Sequence, residues 1–139
     1  MNKTAAELLA RSNRLGSDPK NTNYAGGNTS AKGLGLDPAT GGEIELVWVK
    51  GSGGDLGTLK ENGLAVLQLD RVRALKNVYK GVDTEDEMVA AFDYCLHGRG
   101  GAAPSIDTAM HGLVEADHVE RDRHPLASLG LREVGQEER

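Results

Sequence analysis

Two glycine clusters, Gly26-Gly27-Asn28-Thr29-Ser30 and Gly51-Ser52-Gly53-Gly54, each stand at the end of a segment that reads as a strand. Glycine carries no side chain to hold a ligand off, so backbone N–H groups there can converge on an anion. The neighbouring hydroxyl and amide side chains add further donors. A third segment, Pro104-Ser105-Ile106-Asp107, opens a helical stretch, and the exposed N–H groups at a helix start favour a phosphate. Together these residues suggest a phosphate or polyol site built from loops. The plainer reading is that the glycines only make tight turns. Two common nucleotide loops fail on spacing. Leu56 occupies the place of the third dinucleotide-site glycine, and no Gly-Lys-Ser/Thr follows a glycine at P-loop spacing. Asp107 in the first turn of a helix would be favoured by about 0.3–1 kcal/mol regardless of function. His111, one turn later on the same face, can pair with it.

The elements that must position these loops alternate between helical and strand patterns. Thr4-Ala5-Ala6-Glu7 reads as a capping box, with Leu8, Leu9, Ser12 and Leu15 on one face and Gly16 as a left-handed stop. Asn28 to Leu36 and Glu43 to Val49 read as a hairpin around the turn Asp37 to Gly42, the second strand half-buried through Ile44, Leu46 and Trp48. Gly63 to Gln68 is a short apolar strand. Helical character follows over 70–80, from Thr84 to Gly98, and from Ser105 through Leu113.

The composition bounds the class. The chain has 139 residues, a formal net charge of −5 and 19 glycines, a size suited to one α/β domain. An acidic balance argues against non-specific nucleic-acid binding. No apolar run approaches the roughly 18 residues of a membrane span, and residues 1–20 lack signal-peptide order. The single Cys95 suits a reducing cytoplasm. From Glu115 onward eleven of 25 residues are charged against 27% overall, so poor packing is expected there.

Taken together, Asn23 to Lys32, Val49 to Leu56 and Ala103 to Thr108 resemble the class II aldolase/adducin family. They are most similar to the N-terminal aldolase half of bifunctional rhamnulose-1-phosphate aldolase/short-chain dehydrogenase proteins. The resemblance covers about residues 5–119, with three motifs in order. It implies a three-layer α/β fold with an antiparallel-rich sheet of nine or so strands, assembled as a homo-oligomer, usually a tetramer. It also implies a divalent metal, typically zinc, held by three histidines, and a sugar-phosphate substrate cleaved by a reversible aldol reaction. Rhamnulose 1-phosphate would yield dihydroxyacetone phosphate and lactaldehyde. The resemblance assigns Gly27, Asn28, Ser52, Gly53 and Ser105 to phosphate contact. Asp107 takes the place of the acid/base carboxylate, usually Glu, and is one methylene shorter.

The chain also departs from that pattern. Arg121 and Arg123 stand where a His-x-His metal pair is expected, and no histidine follows His124. Residues 1–119 are therefore expected to form the first part of an aldolase-like domain, incomplete at the C-terminus, and 120–139 a divergent tail. His118 and His124 are expected to be surface histidines. Two functions follow: an aldolase-type domain that binds no metal and cleaves nothing at a useful rate, or a non-catalytic adducin-like interaction module.

Overall fold

The computed structural model describes residues 2–17, 28–51, 54–78, 85–98, 101–104, 108–113, 118–121 and 131–134. Helix α1 (Lys3–Gly16) begins where the Asn2 side chain accepts the Thr4 N–H at 2.8 Å. The cap thus lies two residues before the expected Thr4. Asn2 is held there because its amide also donates to the Leu34 carbonyl at 2.9 Å. Ala5, Leu8, Leu9 and Ser12 recur at helical spacing and form the buried face. Gly16 is not the left-handed stop that its position suggests, since its φ is not positive. It is glycine because a β-carbon would run into the backbone of Leu56 and Gly57.

Strands β1 (Asn28–Leu36) and β2 (Glu43–Lys50) form the expected antiparallel hairpin, with Ser30 opposite Val49 and Leu36 opposite Glu43. The turn is set by Asp37, whose carboxylate accepts the Ala39 N–H at 2.9 Å, and by Gly41 at φ 76°. β3 (Leu64–Gln68) pairs antiparallel with the other side of β2. Its outer edge is covered by the chain after residue 95. His97 N–H donates to Val66 O at 2.9 Å, and Ala102 N–H to Leu64 O at 3.1 Å.

Three short helices follow: α2 (Leu69–Ala74), α3 (Glu85–Ala91) and α4 (Thr108–Leu113). The helical signals read over 70–80 and from Thr84 to Gly98 run longer than α2 and α3. α2 tightens into a 3-10 turn at Leu75–Asn77, and α3 passes into another at Phe92–Cys95. The expected cap Thr84 lies outside the described residues.

No element was expected after Leu113 beyond the helix ending there. The structure adds β4 (His118–Arg121), antiparallel to β1, and β5 (Leu131–Val134), antiparallel to β4. Backbone pairing does not need side-chain periodicity, which is why the charge-rich pattern hid these strands. The sheet order is β3-β2-β1-β4-β5.

Two apolar layers sandwich this sheet. Leu46 and Trp48 of β2 meet α1 residues Ala5 and Leu8 together with Leu56 on one face. Val47 and Val49 meet Val72, Phe92 and Cys95 on the other. The second half of β2 is therefore buried on both faces, not half-buried as the alternation alone implies. Among the described residues no helix is long and apolar enough to cross a membrane.

Candidate anion site at the start of the first strand

Strand β1 opens with three buried polar residues, Asn28, Thr29 and Ser30. Such a run is costly unless each group finds a partner. The pleat sends neighbours to opposite faces. Thr29 turns toward α1, where its hydroxyl lies 2.7 Å from Ser12 Oγ. Ser30 turns toward α4, where its hydroxyl lies 2.7 Å from His111 Nδ1. Arg11 reaches from α1 to donate to the Ser30 carbonyl at 3.3 Å. Asn28, two residues before Ser30, shares the α4 face and is 4% exposed.

The flanks of all three motifs meet at this end of the sheet. Ser30 of the first motif pairs with Val49, which leads into the second. Gly51 packs so closely on Ala102 and Ala103, just ahead of the third, that a β-carbon there would strike them. Its N–H donates to Gly63 O at 2.8 Å. The Ser30–His111 hydrogen bond ties the first motif to the helix that follows the third. Buried Lys50 adds a cation beside the second glycine cluster, donating to Gly51 O at 3.4 Å. A depression of about 330 Å³, lined by Gly54, Asp55, Thr58, Lys60 and Asn62, adjoins the same cluster.

Of the residues assigned to phosphate contact, Asn28 is described. Gly27, Ser52, Gly53 and Ser105 lie outside the described residues, as does Asp107. The pairing of His111 with Asp107 that the spacing allows lies outside the described residues; His111 Nδ1 lies against Ser30 Oγ. Thr108, at the start of α4, is fully buried, and its hydroxyl has no hydrogen-bond partner among the described residues. Sequence reasoning counted Ser30 only among the hydroxyl donors of the first cluster and assigned no role to Lys50 or Thr108. The one signal was a polar Asn-Thr-Ser run at a strand start.

His118 is not the surface histidine expected. It is 2% exposed and stands opposite Ala31 in the β1–β4 pairing. Neither ring nitrogen has a hydrogen-bond partner among the described residues. Burial lowers its pKa, and the nearby Arg11 cation lowers it further. Among the described residues the donor set does not suit the metal that the resemblance implies. His111 sits with Ser30 on the α4 face, whereas His118 sits with Ala31 on the α1 face. Ligands on opposite faces of one sheet cannot share an ion. Arg121 pairs with Asn28 at the place where a ligand histidine is expected. Among the described residues no three His, Cys, Asp or Glu side chains gather as a metal would need.

Comparison with known proteins defines the fold. The structure superposes on the N-terminal class II aldolase domain of a conserved protein from Thermoplasma acidophilum with a TM-score of 0.75, at 29% identity. The match covers 86% of this chain and 55% of that one. The fold is class II aldolase-like, an α/β arrangement built on an antiparallel sheet. In sequence, the chain is 39% identical over 129 residues to the uncharacterized oxidoreductase YuxG of Bacillus subtilis strain 168. That match takes in 93% of this chain and 18% of the relative, so the chain spans less than a fifth of that protein's length. No protein-family profile matches.

Proposed function

We propose that this chain is a phosphate-holding part of a class II aldolase-type domain whose ligand is a ketose 1-phosphate, with rhamnulose 1-phosphate as the substrate class. In this reading the backbone at Gly27, Ser52 and Gly53 and the side chains of Asn28, Ser52 and Ser105 hold the phosphate, and buried Lys50 lends positive charge. Remote binding of the phosphate orients the reacting carbons. Asp107 stands where a cleaving relative's carboxylate would move a proton at the carbon next to the carbonyl, a step this chain would not complete without the metal. The observation that carries the reading is the meeting of the three motif flanks at one end of an aldolase-like sheet.

The protein would act as a homo-oligomer and bind its ligand without cleaving it, since the described donor set does not suit zinc. The opposite-face histidines equally favour a second reading, a non-catalytic adducin-like interaction module. Calorimetry with dihydroxyacetone phosphate separates the two. Under the first reading Asn28→Ala weakens binding about tenfold or more, the worth of a hydrogen bond to a charged group. A parent chain that binds no sugar phosphate supports the second reading. Cleavage of rhamnulose 1-phosphate that depends on zinc would refute binding without catalysis.

A further inference from the structure

His118 places a buried imidazole on β4, and neither of its ring nitrogens has a hydrogen-bond partner among the described residues. A neutral imidazole carries one donor and one acceptor, whereas a protonated one carries two donors and a charge. A site that satisfies neither nitrogen holds the neutral ring at some cost and the charged ring at a far greater one. The charged groups near it do not offset that cost. α1 brings the Arg11 cation and the Glu7 carboxylate, β1 brings Lys32, and the two cations outweigh the single acid. Its cross-strand neighbours are Ala31 on β1 and Val134 on β5, neither of which titrates.

A proton on this ring therefore requires either the helix above it or the strand that carries it to move. α1 is tied down by Ala5, Leu8 and Leu9 in the apolar layer with Trp48 and Leu56, by the Ser12–Thr29 hydroxyl pair and by the bond from Arg11 to the Ser30 carbonyl. β4 has four residues and is flanked in the sheet by β1 and the equally short β5. β1 does not depend on it, since β1 stays paired with β2 over residues 30–36. We infer that β4 and β5 form an acid-released flap with His118 as its latch: the neutral ring seats the strand against β1, and protonation frees it into water. Release bares the edge of β1 at residues 28–31. In the released strand the ring titrates near its ordinary value of about 6.5. Above that pH the ring is neutral whether seated or free, and β4 stays. Below it the free ring takes a proton that the seated ring refuses, so the released fraction grows by up to about tenfold per pH unit.

Amide hydrogen exchange of the full chain, followed residue by residue by NMR at pH 7.5 and 5.5 and corrected for intrinsic rates, tests the latch. The amides of β4 are expected to be less protected than those of residues 46–49 in β2 at both pH values. They are expected to lose about five- to tenfold in protection between pH 7.5 and 5.5. His118→Phe keeps a flat apolar ring without a titrating group and is expected to abolish that loss. If it fails to fold, His118→Gln carries the comparison. β4 amides that hold their protection as pH falls overturn the inference. Equal protection in β4 and β2 also overturns it, because the chain would then open only as a whole. Amides of residues 8–12 exchanging as fast as those of β4 overturn it in favour of a moving α1. A loss that persists in a folded His118 variant overturns it by assigning the titration to another group.

Discussion

His111 and His118 stand on opposite faces of one sheet, because their neighbours Ser30 and Ala31 are adjacent along β1. The pleat that separates them prevents any ion from being bound by both. Zinc is therefore expected to leave the urea-unfolding midpoint of the chain unchanged. Zinc present at a hundred times its Kd for a real site would add about 2.7 kcal/mol, which is readily measured. A zinc-dependent gain that disappears in His118→Ala would sink this expectation.

His118 makes stability depend on pH. Burial first, and Arg11 and Lys32 after it, lower its pKa, with Glu7 opposing. In the unfolded chain the ring titrates near its ordinary value of about 6.5. Below that pH the unfolded chain takes up a proton that the folded chain refuses. Stability is thus full above about pH 6.5 and falls as pH drops from there toward the lowered folded value. Urea unfolding at successive pH values should show this slope in the parent and a flatter one in His118→Gln. Identical slopes would count against it.

Two glycines should fail for different reasons when replaced by alanine. At Gly16 a β-carbon meets the backbone of Leu56 and Gly57, which cannot move without shifting the α1 contact. Gly16→Ala should destabilise by about 1–3 kcal/mol through overpacking. At Gly41 nothing lies near, and the penalty comes from φ 76° alone, about 1–2 kcal/mol. A compensating Gly41→Asn, tolerant of the left-handed region, should recover part of the loss in chemical denaturation. Gly16→Asn should recover none.

The Ser12–Thr29 hydroxyl pair ties α1 to β1 inside the core. Ser12→Ala should cost about 1–3 kcal/mol by leaving Thr29 without that partner. Adding Thr29→Val should restore much of it. Denaturant midpoints of the two single variants and the double variant decide the matter, and full additivity would show that the pair is not coupled.

Much of the scaffold is legible in the residues themselves. The β1–β2 hairpin follows from alternation around an Asp-Pro…Gly-Gly turn, and both properties are local. The buried face of α1 follows from the spacing of Ala5, Leu8, Leu9 and Ser12. The α/β class follows from the alternation of helical and strand patterns, and the aldolase-like fold was implied by the resemblance of three loop motifs to that family. Local pattern was weaker where tertiary contact overrides it. Gly16 looks like a helix stop by position, yet it is selected by the approach of the chain 40 residues later. β4 and β5 carry no apolar period, and their existence depends on β1 offering unpaired backbone groups along its free side.

The candidate site divides in the same way. Residue type and order sufficed to single out Asn28 and the glycine clusters, because an anion needs N–H donors and close backbone approach wherever the fold places them. The sequence also shows Arg121 and Arg123 at the places of expected ligands. Only the tertiary structure decided that His111 bonds Ser30 across 81 residues and that His118 is buried beneath α1. Those facts depend on strand register, and a register shift of one residue would exchange the two faces and everything bonded to them.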